Sequence, residues 1–344
     1  KVQALTIHSA KDLRLEQAEA GNPGAGQVRI AMAAGGICGS DLHYYNHGGF
    51  GTVRLREPMV LGHEVAGFAE AVGPGVSMVE EGDLIAINPS RPCGHCVYCN
   101  KCQFNHCLNM RFYGSAMPFP HIQGAFRERL LVDQSQCEIV ASGVTPGEAA
   151  MAEPLSVCLH AMRQAGHVAN ARVLITGCGT IGALCILAAR QAGAAEIVVS
   201  DLTDQALEFA TRMGADQTLN VSLGPDVLVP FTADKGYFDI CIEASGSAAA
   251  LQSALTAVRP HGTIVQLGLG GDMSVPMNLL VAKEIQLVGS FRFHEEFSQA
   301  VKLISSQTVD VKPLISATLP LADAVEAFEL ANDRSRAMKV QLAF

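Results

Sequence analysis

The sequence predicts an α/β protein made of two domains, an all-β, barrel-like domain followed by a parallel sheet of strand–helix units. In residues 1–150, short apolar runs alternate with turn residues such as Asn22-Pro23-Gly24, which is typical of small β-domains. From residue 151 onwards, apolar strands, glycine turns and helical segments alternate, which indicates right-handed βαβ crossovers. The length of 344 residues and the hydrophobic content of 49% are sufficient for two sizeable cores.

The predicted strands of the first domain are short and are separated by glycine and proline. The turn Gly73-Pro74-Gly75, for example, ends one of them. The clearest strands are Gln27–Met32, Val65–Val72 and Leu84–Ile87. We therefore expect a barrel-like domain over residues 1–150.

The second domain is predicted over residues 151–290. Its predicted strands are Arg172–Thr176, Glu196–Ser200, Phe238–Glu243, Gly262–Gly268 and Ile285–Ser290. Helices are predicted over Ile181–Gln191 and Gln205–Met213, the second ended by Gly214. Residues 291–344 form a third segment, with predicted helices over Phe297–Ser305 and Ala322–Ala331 and a last strand over Ala337–Phe344.

Charge, hydropathy and cysteine content disfavour several classes of protein. Lys and Arg number 24 against 33 Asp and Glu, and a net charge of −9 disfavours binding to nucleic acid. No apolar run reaches the roughly 18 residues of a membrane span, and no apolar leader is visible at the start, so no membrane partner is expected. Eleven cysteines, an odd number, favour free thiols and metal ligands, so we expect a cytoplasmic protein.

A glycine-rich turn after the first strand of the second domain predicts a phosphate-binding site. Gly177-Cys178-Gly179-Thr180-Ile181-Gly182 has the pattern G-x-G-x-x-G and opens a helix. Gly177 permits a tight turn, Gly179 lets the backbone approach a pyrophosphate, and Gly182 lets the helix pack on the strand. The N–H groups of the helix N-terminus would bind the phosphates, so the turn favours a dinucleotide cofactor.

Asp201 indicates which dinucleotide binds. It lies 19 residues after Gly182, at the end of the next predicted strand, where a carboxylate accepts hydrogen bonds from ribose hydroxyls. The same charge repels a 2′-phosphate, and no Arg or Lys follows nearby. NAD is therefore favoured over NADP.

Four cysteines, Cys93, Cys96, Cys99 and Cys107, lie on one short segment with the spacing C-x2-C-x2-C-x7-C. Four thiolates form a closed tetrahedral set that is typical of a structural zinc ion. A fifth cysteine, Cys102, is interpreted as a bystander. A disulfide and a nucleic-acid-binding zinc ribbon are the alternatives, and the acidic net charge argues against the second.

A second metal site is predicted from sparser residues. Cys38, His63, Glu64 and Glu153 come from separate segments, and one Cys, one His and one or two carboxylates fit a catalytic zinc with a position left open. Spacing alone does not establish such a site, and it does not decide whether Glu64 or Glu153 is the carboxylate ligand.

Several of these motifs together resemble a known family. The segments 35–44 (G-G-I-C-G-S-D-L-H-Y), 62–64 (G-H-E), 153–155 (E-P-L) and 177–182, with the four cysteines, occur in the order and at the spacing of the zinc-dependent medium-chain dehydrogenases. The resemblance runs essentially end to end and is strongest to the polyol branch, with sorbitol dehydrogenase as a relative. It implies a GroES-like β-barrel catalytic domain, a doubly wound Rossmann domain, a return of residues 291–344 to the catalytic domain, and a homodimer or homotetramer.

The resemblance also implies roles for individual residues. Cys38, His63, Glu64 and Glu153 match the catalytic zinc site, while Ser40 and His43 match a relay that passes the alcohol proton outward. Tyr44, Arg292 and Phe293 match positions near the substrate. The positions matching the cofactor site are Gly177, Gly179, Thr180, Ile181, Gly182, Asp201, Leu267, Gly268, Leu269, Phe291 and Arg292. Ala206 stands where relatives often carry Arg, which favours NAD.

The implied reaction is oxidation of a secondary alcohol to a ketone with transfer of hydride to NAD. Within the polyol branch, the segments 88–96, 110–117, 289–293 and 339–342 favour a sugar acid as the small-molecule substrate. Its carboxylate would need a cation, for which Arg292, Arg111, Arg54 and His121 are candidates. A neutral-polyol (sorbitol or xylitol) dehydrogenase and an L-threonine 3-dehydrogenase are alternatives. A non-catalytic NAD- and zinc-binding redox sensor is a third hypothesis.

Overall fold

The chain forms two units. A computed structural model describes all residues, 1–344. One unit contains Lys1–Glu153 and Phe297–Phe344, and the other contains Pro154–Glu296. No helix is both long and apolar enough to span a membrane.

The chain forms twenty strands and nine α-helices. The strands are β1 Val2–Ser9, β2 Asp12–Ala18, β3 Gln27–Gly36, β4 Gly49–Phe50, β5 Val53–Arg54, β6 Met59–Val60, β7 Glu64–Val72, β8 Leu84–Ile87, β9 Ser90–Arg91, β10 Arg111–Phe112, β11 Arg129–Asp133, β12 Cys137–Ile139, β13 Arg172–Thr176, β14 Glu196–Asp201, β15 Gln217–Asn220, β16 Phe238–Glu243, β17 Val258–Gln266, β18 Gln286–Gly289, β19 Ile315–Pro320 and β20 Lys339–Ala343. The helices are α1 Gly39–His47, α2 Pro146–Ala150, α3 Ala152–Ala165, α4 Thr180–Gln191, α5 Asp204–Arg212, α6 Ala248–Ala257, α7 Met277–Lys283, α8 Glu296–Ser305 and α9 Ala324–Asn332.

The first unit is built on a seven-stranded sheet and a three-stranded sheet that share one core. The seven strands have the order β12-β8-β7-β3-β20-β19, with β11 also paired to β3, and the three have the order β2-β1-β6. In β3, Val28, Ile30 and Met32 are buried in alternation with less buried neighbours, as the pleat of a half-buried strand requires. Because β20 pairs with β3, a segment near the end of the chain is part of this sheet.

The second unit is a six-stranded parallel sheet with the strand order β15-β14-β13-β16-β17-β18. Its central strands carry continuous apolar runs, as is typical of parallel sheets, and Val173, Leu174 and Ile175 are fully buried. The strand order reverses between β13 and β16. In such doubly wound sheets, ligands bind at this reversal, beyond the carboxyl ends of the strands.

The predicted elements agree closely with the observed ones. Strands β8, β13 and β16 have the predicted bounds, and the other predicted elements are present with shifts at their ends. The last strand starts at Lys339 because the Ala337 N–H donates to the Asp333 carbonyl in a turn. Strand β17 starts at Val258, because pairing with β16 continues through an irregularity in register.

Candidate active site and metal centres

Cys38, His63 and Glu64 come together at the end of strand β3. Each offers one ligand atom, and the three atoms lie within 4.8 Å of one another. Pairing of β3 with β7 brings them together, because Gly36 at the end of β3 lies opposite Glu64 at the start of β7. Cys38 follows two residues later and is the N-cap of α1. The sheet register therefore joins residues that the sequence places on separate segments.

Asp41, in the first turn of α1, connects the two segments of this cluster. Its side chain is fully buried, with Oδ2 accepting the Cys38 N–H at 3.0 Å and Oδ1 accepting the Gly62 N–H at 3.3 Å. Oδ1 also lies 3.9 Å from Nδ1 of His63. Burial raises the pKa of Asp41, although His63 opposes the increase. Sequence reasoning gave Asp41 no role, although an acidic residue at the third helical position is a visible capping signal.

Lys339 is a second residue that sequence reasoning missed. Its Nζ donates to Oε2 of Glu64 at 2.7 Å and to the Ile37 carbonyl at 3.0 Å, and both charged side chains are almost completely buried. Burial alone would lower the pKa of Lys339, but the charges of Glu64 and Cys38 outweigh burial and raise it. Lys339 begins β20 and Glu64 begins β7, so the two strands that flank β3 bring the pair together.

Glu153, near the start of α3, is buried beside the cluster but is not one of the three mutually close ligands. Burial raises the pKa of its carboxyl to about 8; His63 opposes this increase, whereas Glu64 adds to it. The structure thus places Glu64, rather than Glu153, in the set with Cys38 and His63.

The donor set fits a zinc ion with an open coordination position. A thiolate, an imidazole and a carboxylate are ligands that catalytic zinc takes from proteins. Nδ1 of His63 is buried and has no hydrogen-bond partner. Burial and the neighbouring Glu64 carboxylate raise the pKa of the Cys38 thiol to about 12, an increase that a bound cation would counter.

Cys93, Cys96, Cys99 and Cys107 form a second cluster, in which the four sulfurs lie within 4.8 Å of one another. The sulfurs of Cys93 and Cys99 are 4.0 Å apart, close to the roughly 3.8 Å edge of a zinc tetrahedron with 2.3 Å bonds. Cys107 Sγ accepts the N–H of Cys93 at 3.1 Å. These donors fit a closed structural zinc site. Cys102 is exposed and lies outside the set.

The glycine turn of the second unit joins β13 to α4. Gly177 has φ 84°, a conformation that L side chains rarely adopt. A Cβ on Gly182 would lie 1.9 Å from the Gly177 carbonyl oxygen, so only glycine allows this close packing. Thr180 and Ile181 form the first helical turn, whose N-cap, Gly179, provides no side-chain cap. The turn is thus suited to bind phosphate through backbone N–H groups.

Asp201 ends β14 next to this turn. Its Oδ2 accepts the Cys178 N–H at 2.7 Å, and its Oδ1 accepts the Leu202 N–H at 2.6 Å. Leu267, Gly268 and Leu269 follow β17 at the same end of the sheet, where the N–H groups of Leu267 and Gly268 donate to the Glu243 carbonyl. The predicted cofactor residues therefore share the carboxyl ends of the parallel strands.

Ser40 and His43 are three residues apart on α1 and share one face of the helix. The Ser40 side chain hydrogen-bonds to the Cys38 sulfur. His43 is exposed and lies near Phe50, with ring centroids 5.7 Å apart. Partial desolvation, together with the nearby His47, lowers the pKa of His43, which favours a neutral imidazole able to accept a proton.

The three residues predicted to lie near the substrate differ in accessibility. Tyr44 and Phe293 are buried, and the Tyr44 hydroxyl accepts the Ala116 N–H at 3.0 Å. Arg292 is partly exposed, has φ 52°, and holds its guanidinium 4.9 Å from the centroid of the exposed Phe291 ring. Of the three, only Arg292 presents a side chain to solvent, and Tyr44 positions the segment around Ala116.

The three other residues predicted as possible cations for the substrate carboxylate differ in their hydrogen bonds and exposure. His121 is buried, and its Nε2 accepts the Arg56 N–H at 2.9 Å while its Nδ1 donates to the Pro118 carbonyl at 2.9 Å. Both nitrogens are used in the neutral form, so the prediction of His121 as a carboxylate-binding cation is corrected. Arg54 donates to the His47 carbonyl, and Arg111 is exposed on β10.

Comparisons with known proteins place this geometry in context. Residues 24–142 match the model of the alcohol dehydrogenase GroES-like domain, and residues 180–306 match that of the zinc-binding dehydrogenases. The chain is 44% identical over 316 residues to L-idonate 5-dehydrogenase (NAD(P)(+)) of Escherichia coli strain K12, covering 92% of this chain and 91% of that protein. It is 35% identical to sorbitol dehydrogenase of Gallus gallus, covering 98% and 95%.

A solved structure shows the same fold. The crystal structure of L-idonate 5-dehydrogenase from Escherichia coli K-12 superposes with a TM-score of 0.95 and 41% identity, covering 100% of this chain and 98% of that one. The predicted fold class, a GroES-like domain with a parallel Rossmann sheet, is confirmed. The likeness of segments 88–96, 110–117, 289–293 and 339–342 to sugar-acid dehydrogenases agrees with these matches.

Proposed function

Because the chain belongs to the zinc-dependent alcohol dehydrogenases, we propose that it oxidises L-idonate to 5-keto-D-gluconate with NAD as hydride acceptor. The observation that carries the proposal is the cluster of Cys38, His63 and Glu64, in which His63 and Glu64 are buried. The four-cysteine site is complete without these residues and would leave a bound zinc no position for a substrate. A redox sensor does not require a metal with an open coordination position, so the cluster of Cys38, His63 and Glu64 favours an enzyme. The similarity to L-idonate 5-dehydrogenase supports the choice of substrate.

The first unit contributes the candidate metal ligands, and the second contributes the residues that would bind the cofactor. Zinc held by Cys38, His63 and Glu64 would act as a Lewis acid that lowers the pKa of an alcohol hydroxyl. NAD held by the Gly177–Gly182 turn and Asp201 would supply the carbon that accepts the hydride. The chain itself provides position and proton transfer, and the four-cysteine site with its zinc would stabilise the segment 93–107.

The alcohol proton leaves through side chains of α1. Ser40 would accept it first, and His43, one turn later and exposed to solvent, would release it to water. A water near Glu153 is a second route. The substrate thus loses a proton to the protein and a hydride to NAD, which balances the oxidation of an alcohol to a ketone.

Arg292 is the residue we favour for the substrate carboxylate. A guanidinium binds a carboxylate through two parallel hydrogen bonds. The left-handed backbone of Arg292 is unusual for a residue other than glycine, and such conformations concentrate at functional sites.

The cofactor preference follows from the last residue of β14 and the residues that come after it. Asp201 and Asp204 are acidic, and Ala206 adds no cation that would bind a 2′-phosphate. We therefore expect NAD to be used more efficiently than NADP.

We also propose that the chain is a homodimer or homotetramer. Strand β18 pairs only with β17, so its other edge is open, and Leu287 on it is 38% exposed. Met277 and Val281 on α7 add exposed apolar surface. We propose a cytoplasmic location, supported by eleven cysteines of which none is paired in a disulfide.

The test is NADH formation by the zinc-replete protein with L-idonate, D-sorbitol, xylitol and L-threonine in parallel, repeated with NADP. We expect kcat/KM to be highest with L-idonate and NAD. A preference for sorbitol or xylitol, for which the similarity to sorbitol dehydrogenases is the supporting observation, would keep the reaction type and replace the substrate.

A further inference from the structure

Glu243, the last residue of β16, is fully buried at the carboxyl end of the parallel sheet. Its Oε1 accepts the Thr176 hydroxyl at 3.0 Å, the Ser245 N–H at 2.9 Å and the Ser245 hydroxyl. Its Oε2 accepts the Gly246 N–H at 2.9 Å and the Gln266 side-chain amide at 2.7 Å. One carboxylate thus receives five donors from the ends of β13, β16 and β17. We call Thr176, Glu243, Ser245, Gly246 and Gln266 the strand-end cluster.

The hydrogen bonds of the strand-end cluster require both side-chain oxygens of Glu243 to be acceptors. A carboxylate only accepts hydrogen bonds, whereas an amide in its place would turn an N–H₂ group toward N–H donors in either orientation. Leaving such buried donors unpaired costs more free energy than an average hydrogen bond contributes. Glutamine at this position would therefore fit in shape and fail in hydrogen bonding.

The turns that the cluster joins are packed against one another with almost no free space. A Cβ on Gly177 would lie 2.8 Å from the Ser245 Cβ, and a Cβ on Gly268 would lie 2.2 Å from the Gly246 nitrogen. Gln266 also donates to the Gly268 carbonyl at 2.9 Å. A shift of the turn after β16 would therefore displace both the glycine turn and the segment 267–269.

We propose that Glu243 is a positioning residue for the dinucleotide: its carboxylate fixes the turns after β13, β16 and β17 relative to one another. This inference rests on the proposed function, because it assumes that these turns bind NAD. Glu243 itself touches only protein groups, and it acts through the backbone of Gly177, Gly246 and Gly268.

The test compares Glu243→Gln with the wild type in the zinc-loaded, full-length protein. NADH affinity is measured by titration of NADH fluorescence, and the KM for NAD and kcat are measured with L-idonate. We expect NADH binding to weaken about tenfold or more and the KM for NAD to rise more than kcat falls. Zinc content should not change, since both metal clusters are in the other unit.

Glu196→Gln is the matched control. Glu196 begins β14 at the opposite, amino end of the same sheet, where it accepts the Tyr237 hydroxyl at 2.6 Å. We expect its NADH affinity to stay within twofold of the wild type. Equal affinities for Glu243→Gln and the wild type, or a loss of thermal stability with NADH affinity intact, would overturn the inference.

Thr176→Val covers the case in which Glu243→Gln does not fold. It removes one of the five donors at nearly constant shape, and we expect NADH binding to weaken about threefold to fivefold. Unchanged binding in this variant would count against the inference. The proposed function is tested with the wild-type protein alone, and NADH binding without turnover of any alcohol would refute it. In that case, the ratio of NADH affinities between variant and wild type would still test the role of Glu243.

Discussion

The ion pair between Lys339 and Glu64 places a buried cation against a metal ligand. Both side chains are excluded from water, so each charge depends on the other for stabilisation. Lys339 binds Oε2 of Glu64, a carboxylate that lies close to Cys38 and His63 in the candidate metal set. Lys339 therefore limits the orientations open to the carboxylate.

Lys339→Met should destabilise the metal-free protein by about 3–5 kcal/mol, because the Glu64 carboxylate is left buried without a counter-ion. Zinc supplies a positive charge, so the loss should be smaller in the zinc-loaded protein. Unfolding free energies of both forms check this. Lys312→Met, at an exposed lysine 4.0 Å from Asp310, should change either value by less than about 0.5 kcal/mol. An equal loss in both forms would contradict the prediction.

Arg292→Ala should raise the KM for a sugar acid by about tenfold to a hundredfold, the effect of losing a hydrogen bond between charged groups. The KM for D-sorbitol should change much less, because sorbitol has no carboxylate. Steady-state kinetics on both substrates check this. Arg292→Lys keeps the charge and should retain part of the affinity for the acid, and equal losses on acid and polyol would rule out carboxylate binding.

At the scale of elements, the second unit holds a buried acid–histidine contact between α3 and the start of α8. Glu296 is almost fully buried, and its Oε1 lies 2.8 Å from Nδ1 of His160 while its Oε2 accepts the His294 N–H at 2.9 Å. Burial opposes ionisation, but the hydrogen bonds from His160 and His294 outweigh it and lower the pKa of Glu296 to about 2. The contact therefore stabilises the fold only while the carboxylate is charged.

This pKa gives a pH dependence of stability with a definite sign. Because the folded-state pKa lies below the ordinary 4.5, the contribution is complete above pH 4.5 and is lost as the pH falls toward 2. Glu296→Gln should lower the unfolding free energy by about 3 kcal/mol at pH 7. The curves of variant and wild type should approach each other as the pH falls from 4.5 toward 2.

Glu295→Gln is the control for this prediction. The neighbouring carboxylate is 63% exposed and contacts Arg163, so its replacement should cost less than about 1 kcal/mol at any pH. The free energy of unfolding of the wild type, Glu296→Gln and Glu295→Gln is measured by urea unfolding at pH 7 and at several lower pH values. A constant gap between Glu296→Gln and the wild type over that range would contradict the assignment.

At the scale of the whole molecule, the two predicted metal sites differ in what they do for the chain. The four cysteines all lie on the short segment 93–107, whereas Cys38, His63 and Glu64 meet at the end of strand β3. One stabilises the local fold, and the other carries the proposed chemistry.

We predict two zinc ions per chain by elemental analysis. Cys38→Ser should retain one ion and lose activity with little change in thermal stability, whereas Cys99→Ser should lose the other ion and lower the melting temperature. Cys102→Ser should keep both ions, because Cys102 is exposed and outside the cluster. A single ion in the wild type would refute the two-site prediction.

Local patterns of the sequence were sufficient for the fold class, most element positions, the Gly177–Gly182 turn and the four-cysteine cluster. Each of these depends on residues close together in the chain: apolar periodicity, glycine spacing and cysteine spacing. The set of Cys38, His63 and Glu64 required a resemblance, because its members lie on separate segments.

Only the tertiary structure showed which polar groups contact and support these sites. Lys339 reaches Glu64 across 275 residues because β7 and β20 flank β3, and Glu243 joins three strand ends that are adjacent only in the sheet. It also showed that His121 is bound on both nitrogens. The physical reason is that a buried charge or hydrogen bond is defined by its partner, and strand pairing, rather than sequence distance, determines which partner it meets.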